Sequence, residues 1–357
     1  MKFEKSYKVL TVFLIIQWAF VQIIAQHPTF VEQYYSNGLY IFISKSLRLI
    51  LGRLPFSVGD VLYAFLIIFI LKSIYIAIKT RKLSFKKTFF KTGAVLSILF
   101  FLFHLNWGFN YFRTPLFERL NFNKTEYTDT ELIEFTEKLI VKINKVQSLI
   151  TSNDSLLVEN PLTKKEIQKE APSIYDNLQK TMPQFAYINP AVKHSLFSVP
   201  LTYMGFAGYV SPLTNEAQVN YLIPKNNYPA TTCHEIAHQL GIASEKEANF
   251  VGYLATTNSN NVYFKYSGYL MALRYSLFEV YRKQPETFEK LKTTLNKGVL
   301  KDMQRSQNFW KSYQNWSEQF FKIFYDSYLK ANKQQHGIDG YNKVVLLLIN
   351  YHLTEEL

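Results

Sequence analysis

The sequence predicts a mainly helical chain, with three N-terminal transmembrane helices followed by a helical soluble domain that carries a small β element. Three observations lead there. Three long apolar runs crowd the first third of the chain, helix-opening signals and three-to-four apolar spacing follow Pro115, and one stretch cut by Pro and Gly interrupts that pattern before Pro229.

The first run, 9–25, reads VLTVFLIIQWAFVQIIA and lacks any charge, which places it at the short end of the length needed to cross about 30 Å of hydrocarbon. A secretory signal competes, because Lys2, Lys5 and Lys8 precede the run. It is long for such a signal, however, and no small-x-small cleavage site follows. The second run, 61–78, carries Lys72, whose stem can reach the interface; the third, 92–109, encloses His104, expected to face a neighbouring helix. Between these two lies KTRKLSFKKTFFK, basic throughout. With the Lys-rich N-terminus it is expected on the cytoplasmic side, so that three crossings leave everything after about residue 112 outside the cytoplasm. The expected division is therefore a multi-pass membrane domain over 1–112 and an extracytoplasmic domain over 113–357. Between the first two spans, SKSLRLILGRL reads either as an amphipathic helix on the outer membrane surface or as a connecting loop packed on the soluble domain.

The formal charge of +13 fits nucleic acid or an anionic membrane, but 17% aromatic residues and the apolar runs favour the lipid bilayer as partner. No nucleic-acid recognition signature accompanies the charge, so no nucleic-acid partner is expected. Cys233 stands alone, which excludes an internal disulfide and a four-cysteine metal site within one chain.

In the soluble part, Thr128 to Glu131 and Thr163 to Glu166 each spell a capping box, opening helices that run to about Ser152 and Thr181. The stretch 192–221 reads as one or two strands. Helices resume beyond Pro229 and continue nearly to Leu357.

The chemistry concentrates in TTCHEIAHQLGIASEKEANF, 231–250. On a helix, His234 and His238 project from one face about a turn apart, close enough to share a tetrahedral ion. Glu235 points along the same cleft, where it can take a proton from water as a general base without ligating. A catalytic zinc keeps three protein ligands and an open position, so a third ligand is required. Gly241 can end the helix in a left-handed conformation, and Ser244 can cap the next one, whose first turn holds Glu245 and Glu247. Either carboxylate can swing back. Glu245 is favoured, because Asn249 lies one turn on and can hydrogen-bond a ligand, whereas Glu247 projects about 200° away around the helix. Cys233 points about 100° from His234 and reads as a packed thiol. Tyr266, with Tyr269 behind it, is the candidate donor to a developing oxyanion. The strand-like stretch 208–222 can form a cleft edge to which an extended peptide adds as a further strand.

At these residues the chain resembles zincin metallopeptidases of the gluzincin kind, in which an HExxH helix precedes a glutamate ligand on the next helix. Glu245 to Asn249 is similar to their E-x-x-A-D or E-x-x-A-N signature, which implies Glu245 as ligand, with Asn249 standing where aspartate is more usual. More closely, the chain resembles a bacterial membrane-protein family known as domain of unknown function 3810. The resemblance rests on the three spans, NWGFNYFR, GYVSPLTNEAQVN, HEIAHQLGIASEKEANF, KYSGYL and YLKANKQQHGIDGYNKVV. It implies the fold and topology of that family and a place in the bacterial inner membrane, and leaves substrate and activity open.

The expectation is thus a zincin-like, membrane-anchored hydrolase holding Zn2+ and cutting a peptide or protein at the extracytoplasmic membrane surface. The alternative is a non-enzymatic envelope scaffold or partner-binding protein with a structural or vestigial metal site; oligomeric state is open in both.

Overall fold

The computed structural model of the chain describes residues 2–80, 84–332 and 341–357. Part of the basic inter-span loop (81–83) and the whole KQQHGIDG string (333–340) therefore lie outside the described residues. Two units emerge: Met1–Thr114 together with Ser211–Glu216, and Pro115–Val210 together with Ala217–Leu357.

The first unit contains α1 (Lys2–Ile24), the short α2 (Pro28–Phe30), a π-helical stretch (Val31–Leu39), α3 (Tyr40–Leu51), α4 (Val58–Thr80) and α5 (Phe85–Asn106). Within α1, α4 and α5, the segments Glu4–Ile24, Val58–Thr80 and Phe85–Asn106 are long and apolar enough to cross a membrane. All three expected spans are present, with shifted ends. α5 starts at Phe85 rather than near 92, because Ser84 accepts a hydrogen bond from the Lys87 amide and caps it, and it ends at Asn106 rather than 109. There a 3-10 turn, Gly108–Phe112, brings Gly108 onto Phe103, where an added Cβ would lie 2.5 Å from the ring.

α1 and α5 pack tightly because α5 presents small residues. Gly93 leaves room for Thr11, Ser97 accepts from the Gln17 amide at 3.0 Å, and the Thr11 hydroxyl reaches the Phe90 carbonyl at 3.0 Å. By contrast, α4 buries only Gly59 and Asp60, leaving Phe65, Ile68 and Leu71 bare, as suits a helix surrounded by lipid. The segment read either as an amphipathic helix or as a connecting loop is helical: α3 buries Tyr40, Ser44 and Arg48 at one-turn intervals and exposes Phe42 and Ile50. Its buried polar face meets Asn215, which accepts from Arg48 at 2.7 Å and donates to the Tyr40 hydroxyl at 2.8 Å. The neighbouring Glu216 accepts from the amides of Val58 (3.2 Å) and Gly59 (2.7 Å), so a buried carboxylate satisfies orphan donors at the N-terminus of α4.

The second unit is helical around a three-stranded sheet. It runs α6 (Leu116–Arg119), α7 (Asp129–Thr151), α8 (Lys164–Thr181), β1 (Val192–His194), α9 (Ser198–Met204), β2 (Gly208–Val210), β3 (Ala217–Val219), α10 (Tyr228–Gln239), α11 (Glu245–Thr257), α12 (Val262–Lys283), α13 (Pro285–Thr293), α14 (Lys297–Ser312), α15 (Ser317–Ala331) and α16 (Tyr341–Tyr351). Both capping boxes are formed, with the Thr hydroxyl and Glu carboxylate bonding reciprocally. Where one or two strands were expected there are three, in the order β1-β3-β2, β1 parallel and β2 antiparallel to the central β3. Strands of three residues are too short for alternation to reveal, and the intervening helix α9 closes on Gly205 at φ +82°. The core gathers α7, α8, α10, α11, α12 and α16 around buried residues such as Leu139, Tyr175, Phe250 and Leu273.

Candidate metal centre

The site is built by the end of α10 and the start of α11. α10 stops in a Schellman arrangement: the Ile242 amide reaches back to the Ala237 carbonyl, the Gly241 amide to that of His238, and Gly241 takes φ +79°. That turn aims the Ile242 carbonyl at the His238 ring, 2.6 Å from Nδ1. A carbonyl only accepts, so Nδ1 donates to it and Nε2 is the nitrogen that faces the cleft, where its lone pair is available to a metal once the ring is neutral. Ser244 occupies the N-cap position of α11, yet its buried hydroxyl makes no capping bond, so the expected cap is one of position only.

α11 then lies close on α10. Gly252 faces the backbone of the histidine turn, where a Cβ would approach the His234 amide nitrogen to 3.1 Å. This packing delivers Glu245. Its Oε2 is 3.2 Å from His234 Nε2 and its Oε1 3.5 Å from His238 Nε2, while the two Nε2 atoms are 3.1 Å apart. Donors about 2.0–2.1 Å from a tetrahedral ion are separated by about 3.3 Å, so this triangle has the edge lengths such an ion requires. Glu247 does not join it: its Oε1 accepts from the Leu116 amide at 2.9 Å, capping α6. Asn249 is half-buried and makes no hydrogen bond to the three donors.

Glu235 completes a His234–Glu235–His238 cluster whose ligand atoms lie within 4.8 Å of one another and can hold a metal ion. The Glu235 side chain is 3% exposed, and its Oε2 has no hydrogen-bond partner, a costly arrangement for a buried oxygen unless a proton or water comes to it. Burial, reinforced by the Glu245 charge and opposed by the histidines, pushes its carboxyl up to about 7. Glu245 is the reverse case: despite burial, the two histidines hold it well below the usual carboxylate range. Burial lowers the His238 ring, but Glu245 outweighs it and the ring rises to about 9.

Beside Glu235 runs β2, the edge of the sheet. Gly208 passes so close that a Cβ there would sit 2.5 Å from Glu235 Oε1 and 2.8 Å from the Gln218 carbonyl.

Of the two tyrosines singled out from the sequence, neither is bonded to this cluster. Tyr266 donates to Asp302 Oδ2 at 2.7 Å, a carboxylate that also accepts from the Asn226 side chain and the Val158 amide. Tyr269 packs edge-on against Tyr253. The phenol at the site is Tyr325, from α15, whose hydroxyl donates to Glu245 Oε1 at 2.5 Å and whose ring packs on Phe206. It lies 80 residues from its partner in an aromatic-rich helix without a motif, so nothing in the local sequence marks it. Cys233 is fully buried, its thiol pushed up by burial, and its carbonyl accepts from the Tyr175 hydroxyl.

The family described as "Protein of unknown function (DUF3810)" matches residues 35–349, most of the chain. The chain belongs to that family. The DUF3810 match takes in α3 to α15, with the whole histidine–glutamate centre and Tyr325. Comparison with curated proteins gives no match, and comparison with solved structures gives none either.

Proposed function

We propose that the protein is a membrane-anchored, zinc-dependent peptidase of zincin type that acts on peptides or proteins at the extracytoplasmic surface of the bacterial inner membrane. One observation carries the reading. Three donors from two helices, His234, His238 and Glu245, stand at tetrahedral spacing beside a buried glutamate with an unpartnered oxygen.

The donor set suits zinc: two imidazoles and one carboxylate leave a fourth position open, and a fixed backbone acceptor holds the His238 tautomer. Zinc bound there supplies Lewis-acid activation of water and of a scissile carbonyl. Glu235, buried beside the three donors with an oxygen that has no hydrogen-bond partner, is placed to accept a proton from water and pass it to a leaving amine. Tyr325 is neutral at any physiological pH, since burial and then Glu245 push its phenol far up, and it can therefore donate to a developing oxyanion. Edge strand β2 offers an extended peptide one more strand to pair with, and Gly208 keeps the space between that strand and Glu235 free of a side chain. The positive-inside pattern favours the outer face of the membrane for this domain.

The test is Glu235→Gln in the full-length protein with a peptide library. Retained metal with turnover reduced by about 10²–10⁴-fold supports the base role. Unchanged turnover, or no cleavage by metal-loaded wild type, would refute it.

A further inference from the structure

α15 has two faces of opposite character. Inward it presents Tyr325 to Glu245 and buries Leu329. Outward, Trp316 at its N-cap, Phe320, Ile323 and Phe324 recur at helical spacing and are 90%, 64%, 67% and 65% exposed. Four large apolar residues bare on one face of a helix are unusual for a surface in water. The patch continues onto α9, which packs against α15: the Asn315 amide reaches the Tyr203 carbonyl at 2.7 Å, and Val199 and Tyr203 are about half exposed.

We infer that this face docks on the lipid bilayer. Three features of the chain identify the bilayer as occupant. The second unit follows the third span directly, after residues 107–114, and the chain returns to the first unit at 211–216, so a bilayer is the apolar phase held permanently within reach of it. The residue types are those of an interfacial helix, with Trp at one end and Phe and Ile along the face, and the chain carries a net charge of +13 that anionic headgroups attract. Docking does not depend on the metal centre, so its test stands whether or not the site turns over a peptide.

The experiment places a nitroxide label at Phe320→Cys, at Ile323→Cys and, as a water-facing control, at Glu289→Cys on α13, in full-length protein reconstituted into phosphatidylethanolamine–phosphatidylglycerol vesicles. The native Cys233 is fully buried and does not compete for label. Collisions with oxygen and with an aqueous nickel chelate are then compared. We expect the oxygen-to-nickel ratio at 320 and 323 to exceed that at 289 several-fold. Equal ratios at all three positions would overturn the inference. So would a label shielded from both reagents, which means a protein cover, or dipolar broadening between labels, which means a second copy. As a check on unlabelled protein, quenching of tryptophan fluorescence by brominated lipids should be weaker in Trp316→Phe than in wild type; equal quenching contradicts docking.

Discussion

Two phenols, Tyr266 and Tyr325, show how residue-scale roles separate. Both donate to a carboxylate, but Asp302 ties helices together while Glu245 is a donor of the proposed metal centre. Tyr325→Phe should lower turnover of a cleaved peptide by about 10²-fold with metal content unchanged. Tyr266→Phe should leave turnover near wild type and cost about 1–2 kcal/mol of stability, because it strips a donor from a buried carboxylate. Steady-state kinetics and denaturation of the two variants check this, and the reversed pattern would exchange the roles. His234, Glu235, His238 and Glu245 were legible because helical periodicity and one glycine turn relate them within a dozen residues. Tyr325 was not, because long-range packing of α15 brings it in and no spacing rule spans that separation.

At the scale of elements, the distance between α10 and α11 sets the spacing of the three candidate metal donors. Gly252 sits two turns along α11 from Glu245, and the atoms a side chain there would strike are backbone atoms of α10, which cannot rotate aside. Gly252→Val should therefore separate the helices and weaken zinc binding by roughly tenfold or more, as displaced supporting groups do; titration against a competing chelator measures it, and unchanged affinity would show that the contact is slack. The C-terminal helix supplies a pH dependence. His352 Nε2 accepts from the Tyr253 hydroxyl at 2.8 Å and Nδ1 donates to the Glu355 carbonyl at 2.8 Å, so the fold holds the neutral ring. Burial, helped by Lys142 and Lys138, lowers its pKa from 6.5 to about 4. A lowered histidine value means that its stabilisation is complete above pH 6.5 and drains away as pH falls toward 4, by at most about 3 kcal/mol. Unfolding midpoints between pH 7.5 and 4 should fall, and His352→Gln should flatten that fall; a parallel slope in the variant would place the sensitivity elsewhere. The capping boxes were legible because they are local hydrogen-bond chemistry. The three strands and α9 were blurred because each is too short to establish a period.

For the whole molecule, the hydrophobic runs marked the three long apolar helices. The sequence did not reveal that GYVSPLTNEAQVN divides between units: 208–210 and 217–219 pair as strands, while Asn215 and Glu216 satisfy Arg48 and the start of α4. These are contacts between positions some 160 residues apart, beyond the reach of pattern reading. Three spans predict that the full chain stays with the membrane after a high-salt wash and leaves only with detergent, which fractionation and immunoblotting decide; release by salt alone would rule out the spans. The central claim, a three-ligand centre, is tested most directly by the metal content of the purified full-length protein. Elemental analysis should find about one zinc per chain in wild type, Glu235→Gln and Glu247→Gln, and loss of it in His238→Ala and Glu245→Ala. Well-folded wild type without metal after incubation with zinc, or alanine variants that keep it, would contradict the account.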